Sequence, residues 1–313
     1  PVVEIRDAQD NVVTTSTAAI AVTISSGALT GTTTVNAVSG VATFSGLGKT
    51  GVIGSKTLTF ATGALTSATQ SFTLTHGVAT QVSVSASATS ASAVALTAQP
   101  VATIQDADGN TVTSGAAATQ AVTLTSANAT ISGTTSMAAV AGVADFAGKA
   151  VALTGTVGNR TITATISTPS TISGNATVAL TAGAADHLTL TTSAAGFVNG
   201  TGFTTVPVLE VRDAQENLVT TSSATVSATI SSGTLTGTTS VAAVSGVATF
   251  TGLGKTGLVG SKTITFASTG ITSATQTFTL TYGAVAGLAV SAPSSVAAGA
   301  VWTTQPVVTV QDA

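Results

Sequence analysis

The sequence predicts an all-β protein made of tandem antiparallel β-sandwich domains in an elongated array, and three observations point there. An apolar strand running into an Asp-Ala pair occurs at residues 2–8, 101–107 and 208–214, with a fourth copy at 306–313. The copies lie about one hundred residues apart, a period long enough for each repeat to enclose its own core. Apolar and polar residues alternate along the chain, and its 43% of apolar residues are mostly Val, Ala, Leu and Ile with Thr and Ser between them. That is the period-2 pattern of half-buried strands, and helix formers are scarce.

The repeats set the domain boundaries. Residues 1–77 align without a gap on residues 207–283, and about 55 of the 77 pairs are identical, which marks a duplicated unit. Boundaries are expected at 1–76, a repeat lacking its first strand, then 77–182, 183–282, and 283–313 as the start of a further repeat. The middle copy has an insertion around residues 150–154 and places Val178 where its neighbours carry Phe72 and Phe278, so its core is expected to be less aromatic. Each junction runs from a last strand through one glycine, Gly77, Gly183 or Gly283, into the next first strand. Such short joins favour a semi-rigid arrangement. The chain opens inside one repeat and closes inside another, as an excerpt from a longer protein would.

Within one repeat, Val3 and Ile5 alternate with polar neighbours, followed by Ile20, Val22 and Ile24, then Leu58 and Phe60, then Phe72 and Leu74. One buried and one solvated face is the antiparallel signature. Glycine-rich punctuation at residues 26–27, 39–40, 46–54 and 62–63 separates roughly seven short strands, the number expected of an Ig-like sandwich. Phe44, Phe146 and Phe250 recur at one position of each copy, where a large ring is expected to fill the core.

Composition excludes several functions. Only 6% of residues are charged and the net charge is −3, so no basic surface exists to follow a phosphate backbone or an anionic bilayer. No nucleic-acid partner and no membrane insertion are expected: Ser, Thr or Gly interrupts every apolar stretch before the roughly 18 residues of a spanning helix. The absence of cysteine removes disulfides and thiolate chemistry.

The motifs that suggest chemistry are weak. Gly46-Leu-Gly-Lys-Thr-Gly51 and residues 252–257 match Gly-x-Gly-x-x-Gly, but a strand rather than a helix is expected to follow, and Thr43 stands where a phosphate loop needs glycine. The two histidines, His76 and His187, fall near successive junctions without a nucleophile beside them, and both are expected at the surface. No enzyme and no catalytic or cofactor-binding residue is predicted. Lys49, Lys255, Lys56 and Lys262 are candidates for a self-formed crosslink, but Arg160 replaces the last pair in the middle copy, and an always-protonated guanidinium cannot be the nucleophile.

The acidic turns carry the one metal reading. Asp106-Ala-Asp-Gly-Asn110 places oxygen side chains around a turn as a calcium loop does, yet its twelfth position is Ala117. A hairpin turn with local side-chain to backbone hydrogen bonds is the other reading. The calcium candidates, grouped by copy, are Glu4, Asp7 and Asp10; Asp106 and Asp108; and Glu210, Asp213 and Glu216. Asp10 and Glu216 stand where Gly109 does, which leaves the turn type open in the outer copies.

The Asp-Ala-x-Gly-Asn-x-Val-Thr turn at residues 106–113 and the Gly-Thr-Thr-x-x-x-Ala-Val-x-Gly-Val-Ala-Thr-Phe stretches at 31–44 and 237–250 resemble the bacterial Ig-like tandem repeats of large surface proteins, of the invasin and intimin kind. The resemblance implies an extracellular or cell-surface structural segment, the stalk or fibre body of a surface or secreted protein such as an adhesin. Its partners would be further copies of the repeat or of the same protein, and a host or matrix surface. One alternative is a filament subunit in which residues 283–313 of one chain complete the first repeat of another by strand addition. Another is a module binding a glycan or host protein, with Phe197, Phe203, Tyr282 and Trp302 as its candidate rings.

Overall fold

A computed structural model describes residues 1–63 and 65–312; Ala313, which closes the fourth Asp-Ala pair and the last expected repeat, lies outside the described residues. The chain is all-β and its sheets close as Ig-like β-sandwiches; the helical element among the described residues is one 3-10 turn, Ala116–Thr119. No helix among them is long and apolar enough to cross a membrane. The chain divides into two compact units, the first Pro1–Ala88 with Ala95–Ala152 and Arg160–Val178, the second Thr89–Val94 with Leu153–Asn159 and Ala179–Ala313.

In the first unit, strands Thr34–Asn36, Ala19–Ile24, Gly54–Ala61 and Ala68–Leu74 lie side by side in that order. Alternation sets the register: Val22 pairs with Phe60 and Ile24 with Leu58, so the apolar side chains of both strands share one face. Opposite this sheet, Val2–Glu4 pairs with Val41–Thr43, and Ala28–Thr30 with Gly48–Thr50. Ile5, Ile20, Val22, Ala37, Ala42, Phe44, Leu58 and Phe60 fill the space between. The Phe44 and Phe60 rings meet at 5.4 Å in a tilted pair, a contact favoured by the ring quadrupoles.

Among the described residues, residues 1–76 form eight strands rather than about seven, because the glycine-rich stretches contribute three-residue pairs of their own. Gly27 shows why glycine is needed there. It sits at φ 85°, and a Cβ would lie 2.3 Å from the Thr50 carbonyl oxygen.

The same unit holds a second sandwich. Val101–Gln105 lies between Val143–Asp145 and Gln81–Ser85, while Ala121–Thr125 lies between Ser136–Ala138 and Gly158–Ile166. Ile104, Val122, Leu124, Phe146, Ile162 and Val178 are buried, so Val178 fills the position that Phe72 and Phe278 occupy elsewhere.

In the second unit the layers join into one seven-stranded sheet, in the order Ser240–Ala242, Thr225–Ile230, Gly260–Ser268, Ile271–Leu280, His187–Thr192, Val208–Arg212, Val247–Thr249. The connection is a parallel pairing of His187 with Thr272. The core contains Phe250, Phe266 and Phe278 together with Leu209, Val211, Val226 and Ile264. Val285–Ser291 and Val307–Asp312 form a hairpin after it.

Candidate functional site at the acidic turns

Each first hairpin of a repeat turns on an aspartate. The Asp106 amide donates to the Asn110 carbonyl at 2.9 Å, and Val112 returns to Ile104 at 2.9 Å, so the backbone closes the hairpin. The side chain then fills the corner. Asp106 Oδ1 accepts from the amides of Asp108 (3.0 Å) and Asn110 (2.9 Å) and from Asn110 Nδ2 (3.1 Å). Its Oδ2 accepts from the Gly77 amide (2.7 Å) and again from Asn110 Nδ2 (3.0 Å).

Asp213 repeats the arrangement in the second unit, with the amides of Gln215 and Asn217 and the Asn217 side chain each at 2.9 Å, and the Gly183 amide at 2.7 Å. Asp7 makes the turn-internal bonds in the exposed first hairpin, to Gln9 (3.0 Å) and Asn11 (2.9 Å). Asp312 takes the Gly283 amide at 2.7 Å.

These donors decide the electrostatics. Asp106 and Asp213 are 4% and 1% exposed, and burial alone would raise their carboxyl pKa values. The converging N–H groups outweigh burial and hold both below the ordinary carboxyl range. Asp7 is also lowered, by the Asn11 amide first and its side chain second.

The turn type left open by the sequence is the same in all three copies. Asp10 (φ 68°) and Glu216 (φ 62°) adopt the left-handed conformation that Gly109 (φ 80°) adopts in the middle copy. In both outer copies an arginine stabilises that corner: Arg6 Nη1 donates to the Asp10 carbonyl at 2.6 Å and Arg212 Nη1 to the Glu216 carbonyl at 2.5 Å. Gln105 stands at the arginine position beside Gly109.

Glu4, Asp10, Glu210 and Glu216 each lie against a basic side chain. Glu4 Oε2 accepts from Arg6 Nε at 3.0 Å, and Asp10 Oδ2 lies 3.3 Å from Arg6 Nη1. Glu210 accepts from Arg212 at 2.5 Å, and Glu216 lies 3.3 Å from His187 Nε2. Asp108 is exposed on the rim of the turn. Among the described residues no group of three His, Asp or Glu side chains converges as a metal site. The carboxylates of Asp106 and Asp213 point at N–H hydrogens, whose positive ends stand where a cation would have to be.

The glycine-rich loops hold no phosphate cradle. Gly48–Thr50 and Gly254–Thr256 are strands paired with Ala28–Thr30 and Thr234–Thr236, and strands follow them. His76 and His187 are half-buried. His76 Nε2 lies 2.9 Å from Ser114 Oγ, and His187 Nδ1 lies 3.0 Å from Asp186.

One expectation about side chains is corrected. Phe197 stacks on Phe278 at 4.4 Å, and Phe203, 8% exposed, meets the same ring edge-on at 6.2 Å. They are core rings, which leaves Tyr282, 75% exposed, and half-buried Trp302 as the candidate rings for a glycan. Lys255 is fully buried, bonded to the Gly196 carbonyl and to the Thr201 carbonyl at 3.1 Å, with Nζ 4.5 Å above the Phe203 ring. Burial lowers its pKa. Nothing at residues 252–257 signals this, because the oxygens come from residues more than fifty positions away. Lys56 and Lys262 are buried against Ser26 and Ser232, each at 2.7 Å.

No protein-family model matches the chain, and no curated protein does. Among solved structures it is similar to a beta-glycosidase from Bacteroides vulgatus at 14% identity, over 64% of this chain and 24% of that one, with a TM-score of 0.29. It is similar to invasin, a bacterial integrin-binding protein, at 16% identity over 92% and 57% of the two chains, with a TM-score of 0.34. The D0-D1 domain of intimin is similar at 17% identity over 64% and 98%, with a TM-score of 0.23. The chain thus spans under a quarter of the glycosidase it matches, and at these TM-scores none of the three carries a functional argument.

Proposed function

We propose that this chain is a non-enzymatic structural segment, part of the stalk or fibre body of a bacterial cell-surface or secreted protein, working outside the cell. The observation that carries the reading is repetition. One sandwich design recurs with its own buried phenylalanine, Phe44, Phe146 or Phe250, and its polar side chains at the turns are engaged with backbone. In this reading the Asp-turns are hydrogen-bonded corners rather than cation sites, and the Thr-rich, nearly uncharged faces limit repulsion between neighbouring copies.

Stretching the 313-residue chain between its ends in a single-molecule force instrument tests this. Separate unfolding events, at forces unchanged by calcium or by a chelator, support the reading. Hydrolytic activity in a broad substrate screen that is traced to one repeat overturns it.

A further inference from the structure

Asn110 reaches beyond its own turn. Its Nδ2 donates to the Gly51 carbonyl at 3.0 Å, and its Oδ1 accepts from the Ile53 amide at 2.9 Å. The carboxamide thus pairs with a C=O and an N–H two residues apart, as one rung of a β-ladder does. Asn217 does the same in the second unit, with the Gly155 carbonyl at 3.1 Å and the Val157 amide at 2.8 Å. Both asparagines are 7% exposed.

The loop that Asn110 holds, Gly51-Val-Ile, belongs to the sandwich that comes before in sequence, and Gly155-Thr-Val lies with Asn217 in the second unit. The aspartate orients the amide. Asp106 Oδ1 and Oδ2 both accept from Asn110 Nδ2, so the NH2 end faces two acceptors and the oxygen is left for the Ile53 amide. A third asparagine, Asn199, bridges corresponding groups by another route: its Nδ2 donates to Asp312 at 3.0 Å and its Oδ1 accepts from Gly257, the counterpart of Gly51, at 3.0 Å.

We infer that Asn110 is the positioning residue of the joint between the two sandwiches of the first unit, fixing one to the Gly-x-apolar loop of the one before, and that Asn217 grips its loop in the second unit by the same chemistry. The grip reads backbone only, so it accepts different side chains in the loop, Val52-Ile53 under Asn110 and Thr156-Val157 under Asn217. It requires Asn. Aspartate would place a second carboxylate against Asp106 and the Gly51 carbonyl, and serine is too short to span both groups. This inference does not depend on reading the chain as a stalk.

The chain has no cysteine, so spin labels at Ala21→Cys and Ala121→Cys, both exposed and in the two sandwiches of the first unit, report on the joint alone. Pulsed electron resonance on the full chain is expected to give one narrow distance distribution. Asn110→Ala and Asn110→Asp are expected to lose that narrow peak while the far-ultraviolet circular dichroism stays that of the parent. Val52→Ala, at a side chain 67% exposed between the two gripped groups, keeps it. A narrow peak in Asn110→Ala, or equal broadening in Val52→Ala, overturns the inference. Should Asn110→Ala not fold, Asn110→Ser is read by the same criteria.

Discussion

Replacing Asp213 by alanine removes a carboxylate that is 1% exposed and accepts four hydrogen bonds, from Gln215, Asn217 (twice) and Gly183. Bonds to a charged acceptor contribute about 1.5–3 kcal/mol each, but these four share one group and are not additive. The main-chain amide of buried Asn217 is left without its Asp213 acceptor, whereas water can reach the half-buried Gly183. A loss of about 3–5 kcal/mol follows from one orphaned buried donor plus the charged bonds.

Asp7→Ala deletes the same turn bonds on an exposed hairpin, where water replaces the carboxylate, and little stability is lost. Hydrogen exchange read by mass spectrometry separates the two, by protection of strand Val208–Arg212 for Asp213→Ala and of strand Ala19–Ile24 for Asp7→Ala. Similar losses at both sites would refute the account, since burial is what distinguishes them.

Phe250→Ala empties a fully buried site 5.2 Å from the Phe266 ring; a loss of about 3–5 kcal/mol is expected in calorimetric melting, and Phe250→Leu retains most of it. Glu216→Gly relieves a left-handed φ while keeping the carbonyl that Arg212 binds, so urea titration should show a gain of up to about 1 kcal/mol, whereas Gly109→Ala destabilises. Acid unfolding follows from the lowered carboxyls of Asp106 and Asp213. The folded chain holds their protons less tightly than the unfolded one, so their contribution is complete above the ordinary Asp value near ~3.9 and disappears as pH falls through the lowered folded values. Denaturation midpoints measured from pH 5 downward should therefore decline below about 4, and Asp106→Asn with Asp213→Asn should flatten that decline.

The fold was legible because its cause is local. Ile20, Val22, Leu58 and Phe60 alternate with polar residues, and all four are buried. Phe44, Phe146 and Phe250 occupy the core as their fixed position in the repeat implies. The turns were half legible: Asp and Asn announce a side-chain-capped corner, but the left-handed Asp10 and Glu216 depend on arginines four residues earlier, whose role is visible only once the hairpin is closed. What could not be read depends on distant partners. Phe197 and Phe203 are covered because a loop brings them over Phe278, Lys255 is enclosed by oxygens of that loop, and the grip of Asn110 joins residues 57 and 59 positions apart.

The burial of the lysines has a consequence for resistance to proteolysis. A trypsin-like protease cuts after Lys or Arg, and this chain has 8 such residues in 313. Lys56, Lys255 and Lys262 are themselves buried, and the Arg6 and Arg212 guanidiniums are tied to neighbouring acids. Cleavage at the three buried lysines has to wait for local opening, so digestion there should follow the opening rate rather than protease concentration once the enzyme is abundant. A segment that meets digestive enzymes while intact thus offers them few footholds, and its lifetime is set by how seldom its strands separate.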